Sequence, residues 1–214
     1  MERAAGGPGA TRMRAVPGEG DGGTSAMAAR RSGARRAGAE TGPSDARLVR
    51  RAQRGSREAA AALFARHWPA ARRAALAVTG RDAAADDVAQ DAFERAFSHL
   101  GSFDPRRPFA PWLHRIVVNR ALDLLRAERR LVGLDAVGEE PAATGPWEDA
   151  EDPAALRALA ALDPDRRAVV VLRHLLDYRP PEIAEMLGIP VGTVNSRLGR
   201  ALAELRARLE ADGE

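Results

Sequence analysis

Five carboxylate or amide side chains lie close together in the stretch DDVAQDAFERAF, at spacings that place them on one outer face of a helix: Asp86, Asp87, Gln90, Asp91 and Glu94. Paired carboxylates can bind a metal ion or transfer protons. No histidine stands at ligand spacing to them, and the chain contains no cysteine. A solvated acidic face, or one that meets a basic protein partner, is therefore favoured over a hydrolase site. The sequence predicts no enzyme activity, no metal and no cofactor.

A second group of chemically suggestive residues runs from the proline-rich loop GSFDPRRPFAP into the helix that follows it: Phe103, Arg106, Arg107, Phe109, Trp112, Arg115, Asn119, Arg120 and Arg126. Aromatic and guanidinium groups on a constrained loop suit stacking with unpaired bases. For the loop alone, simple packing between helices would be favoured. An arginine stripe beside an aromatic loop instead indicates a surface for single-stranded DNA.

A third group lies in RPPEIAEMLGIPVGTVNSRLGRALAELRARL, residues 179–209. Pro180 and Pro181 suit a helix start, and Gly188 suits a helix end. Thr193 is expected to cap or open a second helix. The pattern predicts a helix-turn-helix, whose second helix enters a DNA major groove. An ordinary helical hairpin is the alternative.

The outer face of that second helix favours DNA binding over the hairpin alternative. It carries short polar and guanidinium groups near its first turns: Thr193, Asn195, Ser196, Arg197 and Arg200. Side chains of these types reach base edges and phosphates. A helix that is merely solvated would more often carry glutamate and lysine there.

The elements that must position these residues are helices throughout. Apolar residues recur at helical spacing, and aromatic residues are few. We expect an all-α fold with two small helical domains joined by a flexible acidic linker, the second domain being the helix-turn-helix. The expected helices are residues 45–54, 57–80, 82–100, 111–130, 153–161, 166–176, 180–187 and 193–209. His67, beside Trp68, is expected at the edge of the core and not as a ligand.

Charge divides the 214 residues into blocks that match this organisation. Residues 45–130 hold 17 arginines against 10 acidic residues, whereas 131–152 hold no arginine and 7 acidic residues. A basic block suggests a polyanionic partner, and an acidic block between helices suggests a solvated linker. We expect a disordered tail at 1–43, one domain at 44–130, the linker at 131–152 and a second domain at 153–212.

No apolar run in the sequence approaches the ~20 residues of a membrane span, and the N-terminal stretch lacks the apolar segment of a secretory signal. A cytoplasmic protein without membrane insertion is therefore expected. A stand-alone helix-turn-helix regulator, with the first block as a sensing or dimerising domain, is the alternative function. A two-fold symmetric footprint on duplex DNA would support that alternative.

Three stretches, in this order and spacing, resemble bacterial RNA polymerase sigma factors of the sigma-70 family: DDVAQDAFERAF, FDPRRPFAPWLHRIVVNRALDLLR and LDPDRRAVVVLRHLLDYRPPEIAEMLGIPVGTVNSRLGRAL. The resemblance is to the small extracytoplasmic-function (ECF) group and covers about residues 45–210. It implies a factor that binds core RNA polymerase and directs promoter recognition and DNA opening. Core polymerase and promoter DNA are the implied partners. Relatives are commonly held inactive by an anti-sigma factor, which is a further possible partner.

The resemblance also implies a role for each group of residues. The five residues of the DDVAQDAFERAF stretch would meet the polymerase clamp. The loop from Phe103 to Phe109, with Asn119, would hold an unstacked base of the −10 element. Asn195, Ser196, Arg197, Gly199 and Arg200 would lie on the −35 duplex. Many relatives carry a basic residue in place of Asn195 and a larger one in place of Gly199, so the −35 sequence itself is not implied.

Overall fold

The computed structural model describes residues 43–132 and 153–211, and all regular structure in these two ranges is helical. The α-helices in these ranges are α1 (Asp45–Gln53), α2 (Arg57–Thr79), α3 (Asp82–Ser98), α4 (Phe109–Val132), α5 (Pro153–Ala160), α6 (Pro164–Val170), α7 (Pro180–Leu187) and α8 (Val191–Ala211). A 3-10 turn covers Leu100–Ser102, and a π-helical turn over Val171–Leu175 continues α6. The predicted all-α fold is confirmed. Residues 1–42 of the expected tail (1–43) and residues 133–152 of the expected linker (131–152) lie outside the described residues. Residues 131 and 132, expected in the linker, instead belong to the end of α4.

Helices α1 to α4 form the first group, and their ends follow from local chemistry. Ser56 caps α2, because its side chain accepts a hydrogen bond from the amide of Ala59 at 3.3 Å. Gly80 ends the same helix with φ of 75°, a left-handed conformation that glycine adopts without strain. Both helix signals were predicted from the sequence.

Small and apolar side chains bring α2, α3 and α4 into contact. Leu63, Val78, Phe93 and Leu113 are buried among many alanines, and each such burial contributes roughly 1.5–3 kcal/mol. His67 lies at the edge of this core, as expected. Its Nε2 is 2.9 Å from Oδ2 of Asp45, and this hydrogen bond is the main reason why the pKa of Asp45 is lowered.

Helices α7 and α8 form the predicted helix-turn-helix. Gly188 ends α7 with φ of 65°. Ile183, Ala184 and Val194 are buried where the two helices meet. The expectation that Thr193 caps or opens α8 is wrong. The carbonyl of Pro190 accepts from the amide of Thr193 at 2.9 Å, so α8 begins two residues earlier and Thr193 lies within its first turn.

Helices α6 and α4 also begin earlier than expected. In α6 the reason is an N-terminal cap. The side chain of Asp163 accepts from the amide of Asp165 at 3.0 Å, and Pro164 occupies the first helical position of α6. Helix α4 begins at Phe109, two residues before Pro111, so that Pro111 lies in its first turn. The loop that precedes α4 is correspondingly shorter.

The two groups of helices pack against each other. Helix α6 contacts α2 and α4, and α7 contacts α4. The described residues of both groups belong to one compact unit by the distribution of their contacts. The helix that carries the arginine stripe therefore lies against the helix-turn-helix group. The proposed domain boundaries remain predictions.

Candidate nucleic-acid and polymerase interfaces

The acidic face of α3 is present, but part of it is paired within the chain. Nε of Arg72 donates to Oδ1 of Asp86 at 2.6 Å. Asp91 is half-buried and accepts from Arg120, and its other oxygen lies 3.4 Å from Nε of Arg95. Arg120, which we predicted to bind DNA, is thus paired with a residue that we predicted to bind the polymerase. Both carboxylates are thus paired within the chain, although the side chain of Asp86 remains 52% exposed.

The remaining members of the acidic face are open. Asp87, Gln90 and Glu94 are exposed, and Nε2 of Gln90 donates to Oε1 of Glu94 at 3.0 Å. Within the described ranges, Asp87 makes no ion pair, and no cluster of acidic, histidine or cysteine residues is suited to hold a metal ion. On α2, Phe64 stacks on Trp68, contacts Phe93 of α3 and remains 37% exposed.

The two loop phenylalanines are not available for stacking with a base. Phe103 is 8% exposed and Phe109 only 1%. Their rings pack around Trp112, with centroids 4.5 and 5.7 Å from it respectively. The expectation of an open aromatic loop is therefore wrong for these two rings, because the apolar rings gain more by burial in the helical core. Trp112 itself is half-buried.

One of the two loop arginines, and Asn119 of the polar stripe of α4, contact the helix-turn-helix group. Arg106 pairs with Asp104 at 2.9 Å, whereas Nη2 of Arg107 lies 3.4 Å from Oε1 of Glu185 on α7. Nδ2 of Asn119 lies 3.4 Å from the carbonyl of Met186, also on α7. The α4 face is therefore covered at these points.

A cavity of about 250 Å³ lies between the two groups of helices, next to these contacts. Trp112 and Arg115 line its α4 side, and Tyr178, Glu182 and Met186 line the opposite side. Arg115 is exposed. A nucleotide base that entered this cavity would meet the aromatic ring of Trp112 and the guanidinium group of Arg115.

The outer face of α8 is more open. Its exposed members are Asn195, Ser196, Gly199 and Arg200, while Thr193 and Arg197 are half-buried. A side-chain carbon built at Gly199 would meet open space. Arg200 has no ion pair with any described residue. The structure thus brings the predicted recognition residues together on one helix and leaves most of them accessible.

Asp165, which sequence analysis did not single out, connects the α4 and α8 surfaces. Nη2 of Arg126 lies 3.1 Å from its Oδ1, and Nη2 of Arg197 lies 3.0 Å from its Oδ2. A neighbouring pair joins Arg129 of α4 to Asp163 at 3.1 Å. Carboxylates at the start of α6 therefore neutralise arginines of both surfaces.

A buried arginine anchors α6 to the end of α2. Arg167 is 3% exposed and donates to the carbonyl oxygens of Val78 at 2.8 Å, Leu162 at 2.9 Å, and Ala160. Burial, followed by repulsion from Arg129, lowers the pKa of Arg167 to about 10. The guanidinium therefore stays charged at neutral pH, held by helix-end carbonyls.

One buried polar pair also joins the groups. Nδ1 of His114 on α4 lies 2.8 Å from the hydroxyl oxygen of Tyr178. Burial lowers the pKa of His114 to about 4 and raises that of Tyr178, so both side chains are neutral at physiological pH. The contact is a neutral hydrogen bond within the packed surface.

Comparisons with known proteins agree with this layout. Residues 63–131 match the family model for sigma-70 region 2, and residues 154–205 match that for sigma-70 region 4. The chain is 37% identical over 181 residues to RNA polymerase sigma factor CnrH of Cupriavidus metallidurans, covering 78% of this chain and 95% of that protein. It is 38% identical over 166 residues to ECF RNA polymerase sigma factor SigM of Mycobacterium tuberculosis, covering 78% and 84%.

Solved structures give the same picture. CnrH in complex with the cytosolic domain of CnrY aligns with a TM-score of 0.58 at 36% identity, covering 78% of this chain and 98% of that one. RpoE in complex with the anti-sigma factor NepR from Bartonella quintana aligns with a TM-score of 0.57 at 25% identity, covering 70% and 95%. Among the described helices, none combines the length and apolar character needed to cross a membrane.

Proposed function

The chain belongs to the extracytoplasmic-function group of the sigma-70 family of RNA polymerase sigma factors, and we propose that three of its helical surfaces divide the work of promoter recognition. A sigma factor is a non-enzymatic initiation factor that binds core polymerase and directs it to promoters. In our proposal, residues 44–130 contact polymerase and the −10 element, and residues 153–212 read the −35 element. Residues 131–152 are the tether between them.

The outer face of α3 is proposed to bind the polymerase clamp. The exposure of Asp87, Gln90 and Glu94 supports this role. Asp86 and Asp91, which are paired with arginines of the chain, would contribute only at the edge of the contact. Charged groups at such an interface mainly set the association rate and the choice of partner.

The α4 surface is proposed to hold the unstacked strand of the −10 element. Trp112 and Arg115 line the cavity, and Asn119 contacts Met186 of its opposite wall, which supports a base-binding role for the three residues. Arg106, Arg107, Arg120 and Arg126 would contact phosphates. The burial of Phe103 and Phe109 suits a supporting role, in which the two rings hold Trp112 in place.

The first turns of α8 are proposed to lie on the −35 duplex. Arg200 is exposed and unpaired among the described residues, which suits a bidentate contact with a guanine. Arg197 is paired at its end with a carboxylate, a geometry that also suits a phosphate oxygen. Thr193, Asn195 and Ser196 would add polar contacts, and Gly199 would leave room for close approach.

Regulation by an anti-sigma factor is proposed by analogy with one structural relative, whose solved complex contains the anti-sigma factor NepR. The site of action is proposed to be the cytoplasm, because bacterial core polymerase and promoter DNA are found there. Both proposals follow from membership of the family.

The exposed acidic face of α3, the observation that carries the polymerase contact, can be tested directly. Reversing two charges, Asp87→Arg with Glu94→Arg, should reduce co-purification with core polymerase by roughly tenfold or more, because like charges would then meet. Glu210→Arg is the matched control, since it reverses an exposed helical carboxylate on α8. Circular dichroism should show unchanged helicity in both proteins. Undiminished co-purification of the double variant would refute the clamp assignment.

A further inference from the structure

A single glutamine at the end of α1 holds the beginning of the loop that precedes α4. Nε2 of Gln53 donates to the carbonyl oxygen of Leu100 at 2.9 Å and to that of Phe103 at 2.7 Å. These carbonyls belong to the first residue of the 3-10 turn and to the residue that follows the turn. Because both acceptors are carbonyl oxygens, the side chain must present its amide nitrogen there, and both of its N–H groups are used.

Helix α1, which carries this glutamine, is itself attached to α2. At the start of α1, Oδ1 of Asp45 accepts from Nη1 of Arg66 at 2.7 Å. In its middle, Leu48 and Val49 are buried. After its end, Gly55 has φ of 90°, a left-handed conformation that glycine adopts readily and that turns the chain into α2. The glutamine therefore projects from a helix whose position is fixed, so that it can hold the loop in a defined place.

The loop residue that Gln53 holds leads directly to Trp112. The ring centroid of Phe103 lies 4.5 Å from that of Trp112, and its edge-to-face contact with Phe109 spans 6.0 Å. Trp112 and Arg115 line the cavity where the proposed function places the −10 base. A binding side chain keeps its orientation only when the groups behind it are held in place. A displaced Phe103 would leave Trp112 without one of the rings that orient it.

We propose that Gln53 is a positioning residue for the unstacked −10 strand. It fixes Phe103 through the loop backbone, and Phe103 fixes the orientation of Trp112. The glutamine acts through these groups and does not itself touch DNA. This inference rests on the proposed function, because it requires the α4 surface to hold the unstacked strand. Glutamate cannot do the same work, since an ionised carboxylate has no hydrogen to donate to the two carbonyl oxygens.

Two substitutions remove the contact in different ways. Gln53→Glu places a carboxylate against both carbonyls, whereas Gln53→Met keeps the length of the side chain and removes only the hydrogen bonds. Gln53→Met adds no charge, so it decides the inference even if the glutamate variant fails to fold. Arg50→Gln is the matched control for Gln53→Glu, because it changes the net charge by the same amount at an exposed position of α1.

Two measurements are made on the full chain. Permanganate reactivity of −10 thymines in complexes with core polymerase, at saturating protein, gives the rate of opening. Acrylamide quenching reports on Trp112 after Trp68→Phe and Trp147→Phe, which leave it as the only tryptophan of three.

Both Gln53 variants should slow opening by about fivefold or more, because two hydrogen bonds are lost. They should also raise the quenching of Trp112 above that of the Arg50→Gln control. Their affinities for core polymerase and for a −35 duplex should match those of the control.

Unchanged opening with both Gln53 variants would overturn the inference. Slower opening without a change in Trp112 quenching would also overturn it, and so would an equal loss of affinity for polymerase and the −35 duplex, which indicates general loss of structure. Asn119→Ala separates the inference from the proposed function. If Asn119→Ala slows opening and the Gln53 variants do not, only the positioning role fails. If none of these variants slows opening, the proposed −10 role of α4 fails, and the inference fails with it.

Discussion

The surface on α4 and the surface on α8 are both rich in arginine and amide groups, but they differ in how far other parts of the chain cover them. On α4, Asn119 and Arg126 each contact a group from the second half of the chain, as does Arg107 in the loop before the helix. On α8, Asn195, Ser196 and Arg200 are exposed. Arg197, in contrast, forms an ion pair with Asp165 of α6.

This difference matches the two kinds of DNA that the surfaces are proposed to meet. A helix that reads an intact duplex needs only an open face that fits the major groove. A surface that holds an unstacked base must bind a strand that does not exist until the duplex opens, and premature binding of other single strands would compete. A covered α4 face in the free protein is compatible with this proposed role, because the unstacked strand exists only after the duplex has opened.

The largest expected effect is on the free energy of unfolding, and it tests whether the α4 and α8 surfaces belong to one unit that unfolds cooperatively. Leu113→Ala in α4 and Ile183→Ala in α7 each remove a fully buried side chain and should each lower the free energy of unfolding by about 2–5 kcal/mol. Because the groups pack together, both variants should shift one shared thermal transition. Leu131→Ala, at a position 72% exposed, should change stability by less than ~0.5 kcal/mol. Two separate thermal transitions, each shifted by one variant only, would show that the two groups of helices unfold independently of each other.

Local signals made most of the helices predictable. Helix α2 begins after Ser56 and ends at Gly80, as expected. Helix α7 begins with Pro180 and Pro181 and ends at Gly188, also as expected. These signals act through backbone groups only a few residues away, so a single sequence contains them. The prediction for Thr193 was wrong because its amide donates to the carbonyl of Pro190, so that the helix already begins before Thr193.

Long-range contacts could not be predicted in the same way. A loop with two phenylalanines and two arginines has the composition of a binding loop, but Phe103 and Phe109 are buried against Trp112. Nothing in the local pattern distinguishes an aromatic ring that stacks on a base from one that fills a core. Asp165 and Arg167 gain their importance from partners 32 to 89 residues away, which no local periodicity indicates.

A smaller effect should separate the two arginines of α8. Arg200→Ala should relax the preferred −35 sequence at one or two positions, at a cost of ~1–3 kcal/mol in discrimination. Arg197→Ala should weaken binding to all sequences alike and lower the salt slope by ~1, because it is proposed to hold phosphate. Selection from a −35 library with core polymerase, followed by salt titration, measures both. If the two variants exchange these behaviours, α8 is rotated on the duplex relative to our assignment.

The division of work between the two surfaces is tested most directly by permanganate reactivity of −10 thymines in complexes of core polymerase with wild-type, Asn119→Ala or Arg200→Ala protein. Losing the proposed hydrogen bonds of Asn119 to the unstacked base should cost about 0.5–1.5 kcal/mol and slow opening by up to about tenfold. This defect should persist at saturating protein. Arg200→Ala should open the duplex normally once its weaker −35 binding is saturated. Normal reactivity with Asn119→Ala, or a persistent opening defect with Arg200→Ala, would contradict the account.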